Sequence, residues 1–154
     1  MQPLVAGNPA PDFTLPDQNG NPLQRSSLLG KKVLVYFYPK AMTPGCTTQA
    51  CSLRDINAEL AAHNVVILGI SPDPAKRLKK FVERDQLNFT LLADEDHAVA
   101  DAFGVWGPKK FMGKEYDGIH RQSFLIDETG NIAHHFDQFK TSDHHQVVLD
   151  FIKG

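Results

Sequence analysis

Two apolar runs constrain most of what this chain can fold into. "KKVLVYFYP" (31–39) and "NVVILGIS" (64–71) are β-branched, aromatic and apolar on both faces, so each reads as a buried strand. Between them residues 44–62 show helical spacing, with Cys46, Leu53, Ile56 and Leu60 on one stripe. Strand, helix and strand in this order make a parallel crossover.

The rest of the chain extends the pattern. "DPAKRLKKFVERDQL" is an amphipathic helix with Pro74 early in its first turn. Its basic residues form a solvated face over Leu78, Phe81 and Val82. "FTLLAD" reads as a third strand and "DEDHAVADAFG" as a short helix stopped by Gly104. "HRQSFLID-ETGN-IAHHFDQF" reads as a hairpin turning near Thr129-Gly130-Asn131, and "SDHHQVVLDFIKG" as a closing helix capped by Ser142. The first thirty residues give short extended pieces, "DFTL" and "PLQR", around a "DQNGN" turn. The expected class is α/β, one domain over residues 1–154, with a mixed central sheet flanked by helices on both faces. A thioredoxin-like fold matches that order.

Composition excludes several function classes. A formal net charge of −2 gives no electrostatic case for nucleic acid or an anionic membrane. The longest apolar runs are too short to span a bilayer. "MQPLVAGNPAPDF" has neither a basic n-region nor an apolar h-region, so the expected compartment is the cytoplasm. Thiols are kept reduced there, and a close pair points to redox chemistry or metal binding more than to a structural staple.

The only two cysteines, Cys46 and Cys51, lie five positions apart in "YPKAMTPGCTTQAC". That spacing is too wide for a C-x-x-C motif. Thr43 suits an N-cap and Pro44 the first helical position. Cys46 then falls in the first turn, where free N–H groups and the helix dipole favour thiolate over thiol. The apolar stripe places it in a pocket. Five helical residues give about 7.5 Å of rise and about 140° of rotation, which keeps the two thiols beyond disulfide reach. Either they never bond, or the first turns unwind to let them.

Pro39 to Cys46 match the peroxiredoxin pattern P-x-x-x-[T/S]-x-x-C after a "VLVYFY" strand, and Arg121 in "HRQSFLID" matches the family's active-site arginine. "PDFTL", "GIS" and "DGIHR" resemble the peroxiredoxin Q group, also called bacterioferritin comigratory proteins. The resemblance covers essentially the whole chain. It implies a monomeric thiol peroxidase acting on hydrogen peroxide and organic hydroperoxides, with thioredoxin as reductant and no metal or organic cofactor. It implies Cys46 as the peroxidatic thiolate and Cys51 as the resolving thiol that closes an intramolecular disulfide. Thr43 Oγ and the Cys46 N–H would bind the peroxide, Arg121 would stabilise thiolate and developing charge, and Pro39 would shield the site. Some relatives place the resolving cysteine on a later helix, where this chain has none.

Each residue also has a plainer reading. Cys46 could be a small buried hydrophobe, Thr43 only a cap, Arg121 a surface charge and Pro39 a strand end. The pairs His134-His135 and His144-His145 diverge in direction on strand or helix, so they read as solvated rather than chelating. Tyr36 and Tyr38 are assigned no chemistry. "GVWG" and "KKFMG" read as packed loop segments. The competing functions are a one-cysteine peroxidase using an external thiol, a thioredoxin-type disulfide oxidoreductase, and a non-catalytic redox-sensing or chaperone module. Zinc binding lacks a recognised spacing.

Overall fold

The computed structural model describes residues 1–154. The first strands are β1 (Thr14–Pro16) and β2 (Pro22–Gln24), followed by a 3-10 turn at Arg25–Leu28. Next come β3 (Lys32–Phe37), α1 (Pro44–Ala62), β4 (Val65–Ser71), α2 (Ala75–Asp85), β5 (Thr90–Ala93) and α3 (Ala98–Phe103). The chain ends with β6 (Trp106–Phe111), β7 (Lys114–Ile119), β8 (Ser123–Ile126), β9 (Ile132–Phe136) and α4 (His144–Lys153).

The central sheet has the order β5-β4-β3-β8-β9. β3, β4 and β5 are mutually parallel, and β8 and β9 join antiparallel. The expected mixed sheet is therefore present, and its crossovers are α1 and α2. Alternation along β3 divides the core in two. Leu34, Tyr36 and Tyr38 pack with Leu53 and Leu60 of α1, Leu78 and Phe81 of α2 and Val148 of α4. Val33, Val35 and Phe37 pack on the other face with Val99, Ala100 and Phe103 of α3, Leu15 of β1 and Ile119 of β7. Full burial of one such side chain contributes about 1.5–3 kcal/mol. Helices thus cover both faces.

Gly69 of β4 has a packing role. A Cβ there would come within 2.8 Å of both the Tyr36 ring and Leu91 Cδ2, so the bare backbone is what lets these two side chains pack against β4.

Three local expectations differ. Residues 106–119 form a hairpin, β6–β7, rather than loop segments. Its turn is Met112-Gly113, both at positive φ (51° and 81°), the backbone of a two-residue hairpin turn. The closing helix begins after Asp143, not Ser142, and Asp143 Oδ1 accepts the Lys140 N–H at 2.7 Å instead of capping the helix. The histidine pairs are not solvated as expected: His134, His135 and His145 are half-buried, and His144 has no exposed surface. His134 stacks on Phe151 and His135 on Phe124, as neighbours on opposite faces of a strand must.

Candidate active site

β3 delivers the chain to the site and α1 carries the thiols away from it. After Tyr38, Pro39 and Lys40 leave the sheet, Ala41 turns inward with no exposure, and Met42 takes a positive φ of 67°. Such a backbone is costly for a non-glycine residue and persists where surrounding contacts enforce it. Thr43 and Pro44 then start α1, with proline at its first position.

Thr43 occupies the N-cap position with extended backbone but does not cap with its side chain. Its Oγ1 donates to the Lys40 carbonyl at 2.8 Å. This corrects the capping role read from the sequence. The hydroxyl proton is committed backward, so the oxygen keeps lone pairs free to accept. The first intrahelical bond runs from Thr47 N–H to the Thr43 carbonyl, which leaves the Gly45 and Cys46 N–H groups without a backbone acceptor.

Cys46 is 1% exposed and lies in the core that Tyr36 and Tyr38 line. The thiol is thus enclosed on the apolar side of α1, as its place on the helix stripe predicts, and it lines neither of the two surface cavities. Arg121, in the connection between β7 and β8, reaches this sulfur: its Nη2 donates to Cys46 Sγ at 3.3 Å. Its Nη1 donates to Gln49 Oε1 at 2.6 Å. Gln49 was not singled out from the sequence, although it stands one turn after Cys46 on the same helix face. Lys109 of β6 was also missed. Its Nζ donates to the Ile119 carbonyl at 2.7 Å, and its pKa is lowered by burial and by the nearby Arg121 charge, with Cys46 acting in the opposite sense. A half-buried lysine close to these groups became visible only through the hairpin.

Pro39 is half-buried at the head of the loop. Cys51 is half-buried on the same unbroken helix as Cys46, and both cysteines are free. Burial pushes the Cys51 thiol up, with Arg54 opposing and Asp85 and Asp55 reinforcing the shift. The two tyrosines beneath the site are fully buried, their ring centroids 5.4 Å apart, and burial raises both phenols. No three His, Cys, Asp or Glu side chains cluster as a metal site, and no helix is long and apolar enough to cross a membrane.

Arg121, Cys46 and Gln49 are therefore in direct contact, Thr43 lies on the adjoining turn, and Cys51 stands apart from them. A cation on a buried sulfur at a helix start, with uncapped N–H groups beside it, suits attack on a small polar molecule.

Comparison with known proteins places the chain in a family. The AhpC/TSA family profile matches residues 6–135. A putative peroxiredoxin bcp of Haemophilus influenzae is 60% identical over 154 residues, covering 100% of this chain and 99% of the relative. Peroxiredoxin Bcp of Escherichia coli is 61% identical over 153 residues, covering 99% and 98%. Among solved structures, Xanthomonas campestris peroxiredoxin Q superposes with a TM-score of 0.89 at 31% identity over 96% of each chain. Sequence, fold and the contact of arginine with cysteine thus converge: the chain belongs to the AhpC/TSA family and, within it, to the peroxiredoxin Q or bacterioferritin comigratory group of thiol peroxidases.

Proposed function

We propose that Cys46 is the thiol that reduces the peroxide, that Thr43, Arg121 and Pro39 build its site, and that Cys51 resolves the product. The observation that carries this reading is the 3.3 Å hydrogen bond from Arg121 Nη2 to Cys46 Sγ at the start of α1. The guanidinium aims a positive charge at the sulfur, and in thiol chemistry the thiolate is the nucleophile. The thiolate attacks one oxygen of a hydroperoxide. A sulfur–oxygen bond forms, the oxygen–oxygen bond breaks, and the leaving oxygen takes the electron pair and a proton to become water or an alcohol. Cys46 is left as a sulfenic acid.

Thr43 Oγ1, its own proton given to Lys40, accepts the hydrogen of the peroxide hydroxyl. The Cys46 N–H and the Arg121 guanidinium face the charge that develops as the bond breaks. Pro39 limits water at the loop. Hydrogen peroxide and organic hydroperoxides share this reacting group. The structurally similar bacterioferritin comigratory protein of Xanthomonas campestris has alkyl peroxide reduction activity, which supports the organic substrates.

Resolution requires the Cys51 sulfur to bond the Cys46 sulfur, which an intact helix prevents. The first turns of α1 unwind, Cys51 leaves the burial that holds it protonated, and its thiolate displaces hydroxide, released as water, to close the disulfide. A dithiol of the thioredoxin type then returns two electrons. The enzyme works as a monomer in a reducing cytoplasm.

Stopped-flow mixing with hydrogen peroxide tests the reading. The parent consumes peroxide and Cys46→Ser does not; equal consumption by the two proteins refutes the assignment. Intact mass of the peroxide-treated parent tests resolution: loss of two hydrogens is the expected internal disulfide, and an added oxygen instead indicates the one-cysteine route.

A further inference from the structure

The loop that presents Thr43 is held from outside by charged groups to which the reaction gives no part. Asp73 follows β4 and is 7% exposed. Its Oδ2 accepts the Ala41 N–H at 2.7 Å and the Ser71 hydroxyl at 2.8 Å. Arg77, in the first turn of α2, pairs with the same carboxylate, its Nε 3.2 Å from Oδ1. Its Nη2 donates to the Ala41 carbonyl at 2.7 Å. A closed ring results: Ala41 N–H to Asp73, Asp73 to Arg77, Arg77 to Ala41 C=O. Both polar groups of one residue are gripped by an ion pair.

Ala41 is next to Met42, the strained residue, and two before Thr43. A positive φ at Met42 has no glycine to relieve it, so contacts on its neighbour must supply the constraint. Hydrogen bonds to charged groups are the stronger kind, and both bonds on Ala41 are of that kind. The arginine belongs to the basic face that the sequence pattern assigns to solvent.

We propose that Asp73 and Arg77 are positioning residues for peroxide reduction: their clamp on Ala41 sets where Thr43 stands relative to the Cys46 sulfur. They touch neither sulfur nor peroxide. This rests on the proposed role of Thr43 and Cys46. Arg121 bonds the sulfur and Gln49 and shares no hydrogen bond with Ala41, Asp73 or Arg77, so the two halves of the site are separable.

The test uses that separation. Asp73→Ala, Arg77→Ala and Arg77→Lys are compared with the parent in two reactions of the same thiol at one pH. One is reduction of hydrogen peroxide, which needs Thr43 in place. The other is alkylation by iodoacetamide, which needs only a reactive sulfur. The expected result is a fall of about 10-fold or more in the peroxide rate for both alanine variants, with alkylation within about 2-fold of the parent. Arg77→Lys keeps the charge but cannot grip carboxylate and carbonyl together, so its peroxide rate lies between parent and Arg77→Ala. An unchanged peroxide rate overturns the proposal, and so does an equal fall in both reactions, which would mark a general structural defect. Arg77 is 37% exposed in its side chain, so its variants decide the matter if Asp73→Ala fails to fold. A parent that does not react with peroxide through Cys46 would instead overturn the proposed function, which the Cys46→Ser comparison reports separately.

Discussion

Arg121 divides its guanidinium between two acceptors on one helix, the Cys46 sulfur and the Gln49 amide oxygen. The planar fork allows both bonds at once, and the neutral amide leaves the full positive charge to act on sulfur. Arg121→Ala removes a charged donor from the developing negative charge, a loss worth about 10²- to 10³-fold in rate. Arg121→Lys retains charge but has a single donor head and loses the tether to Gln49, so it falls between parent and alanine. Second-order rate constants with hydrogen peroxide check the order; a lysine variant slower than alanine would contradict it. Cys46 and Thr43 stood out by residue type and spacing at a helix start, whereas Arg121 was singled out only through the resemblance to peroxiredoxins. Their separation in the chain hid what joins them. Nothing in the sequence couples Gln49 to Arg121, and Thr43 looks like a cap because its type and position suit one. Only the short bond to the Lys40 carbonyl shows that it faces backward.

At the scale of elements, α1 has two demands on it. As a helix it presents Cys46 with free N–H groups, and as a helix it keeps Cys51 away. Its first half buries only small or polar side chains, Cys46, Gln49 and Ala50, and is tied to α2 by Arg84 Nη2, which donates to Thr47 Oγ1 at 2.9 Å. Its second half is anchored by Leu53 and Leu60, both without exposure. Oxidation by peroxide is therefore expected to speed amide exchange across residues 44–52 while residues 53–62 stay protected. Equal protection of 44–52 in the two redox states would exclude unwinding as the route to the disulfide. Unbroken apolar runs made the strands β3 and β4 legible and a strong apolar stripe did so for α2, while α1 was read from a sparser stripe, Cys46, Leu53, Ile56 and Leu60, behind Thr43 and Pro44. The β6–β7 hairpin was not legible for the opposite reason. Its residues are mostly exposed, Pro108 interrupts it, and methionine is an unusual occupant of a left-handed turn. Lys109 was missed together with its strand.

The molecule as a whole brings the site together from both ends of the chain. The sheet order places β8 beside β3, so Ser123 pairs with Tyr36 and α4 closes over the same face as α1. His144 is buried where α4 meets β3 and β8. Its Nε2 lies 2.7 Å from Ser123 Oγ, and its ring packs on Tyr36 and Phe139. Burial first, then the Arg121 and His145 charges, push its pKa down to about 3, against an opposing pull from Asp143. The sequence places this histidine on a helix but cannot show that the helix turns it inward. The depressed value fixes the sign of a pH effect. Above about pH 6.5 the ring is neutral in both folded and unfolded chains, and the fold keeps its full stability. As pH falls below that, the unfolded chain binds a proton that the folded chain refuses. Stability then drops by about 1.4 kcal/mol per pH unit until the folded ring also protonates near pH 3. Urea denaturation of parent and His144→Gln separates this from the carboxylates, whose titration is common to both. The glutamine can still hydrogen-bond Ser123 but does not titrate. Between pH 7 and pH 4.5 the parent should lose about 2–3 kcal/mol more than the variant. Parallel losses would mean that His144 takes up a proton as readily in the fold as out of it, and that α4 opens to water near the site.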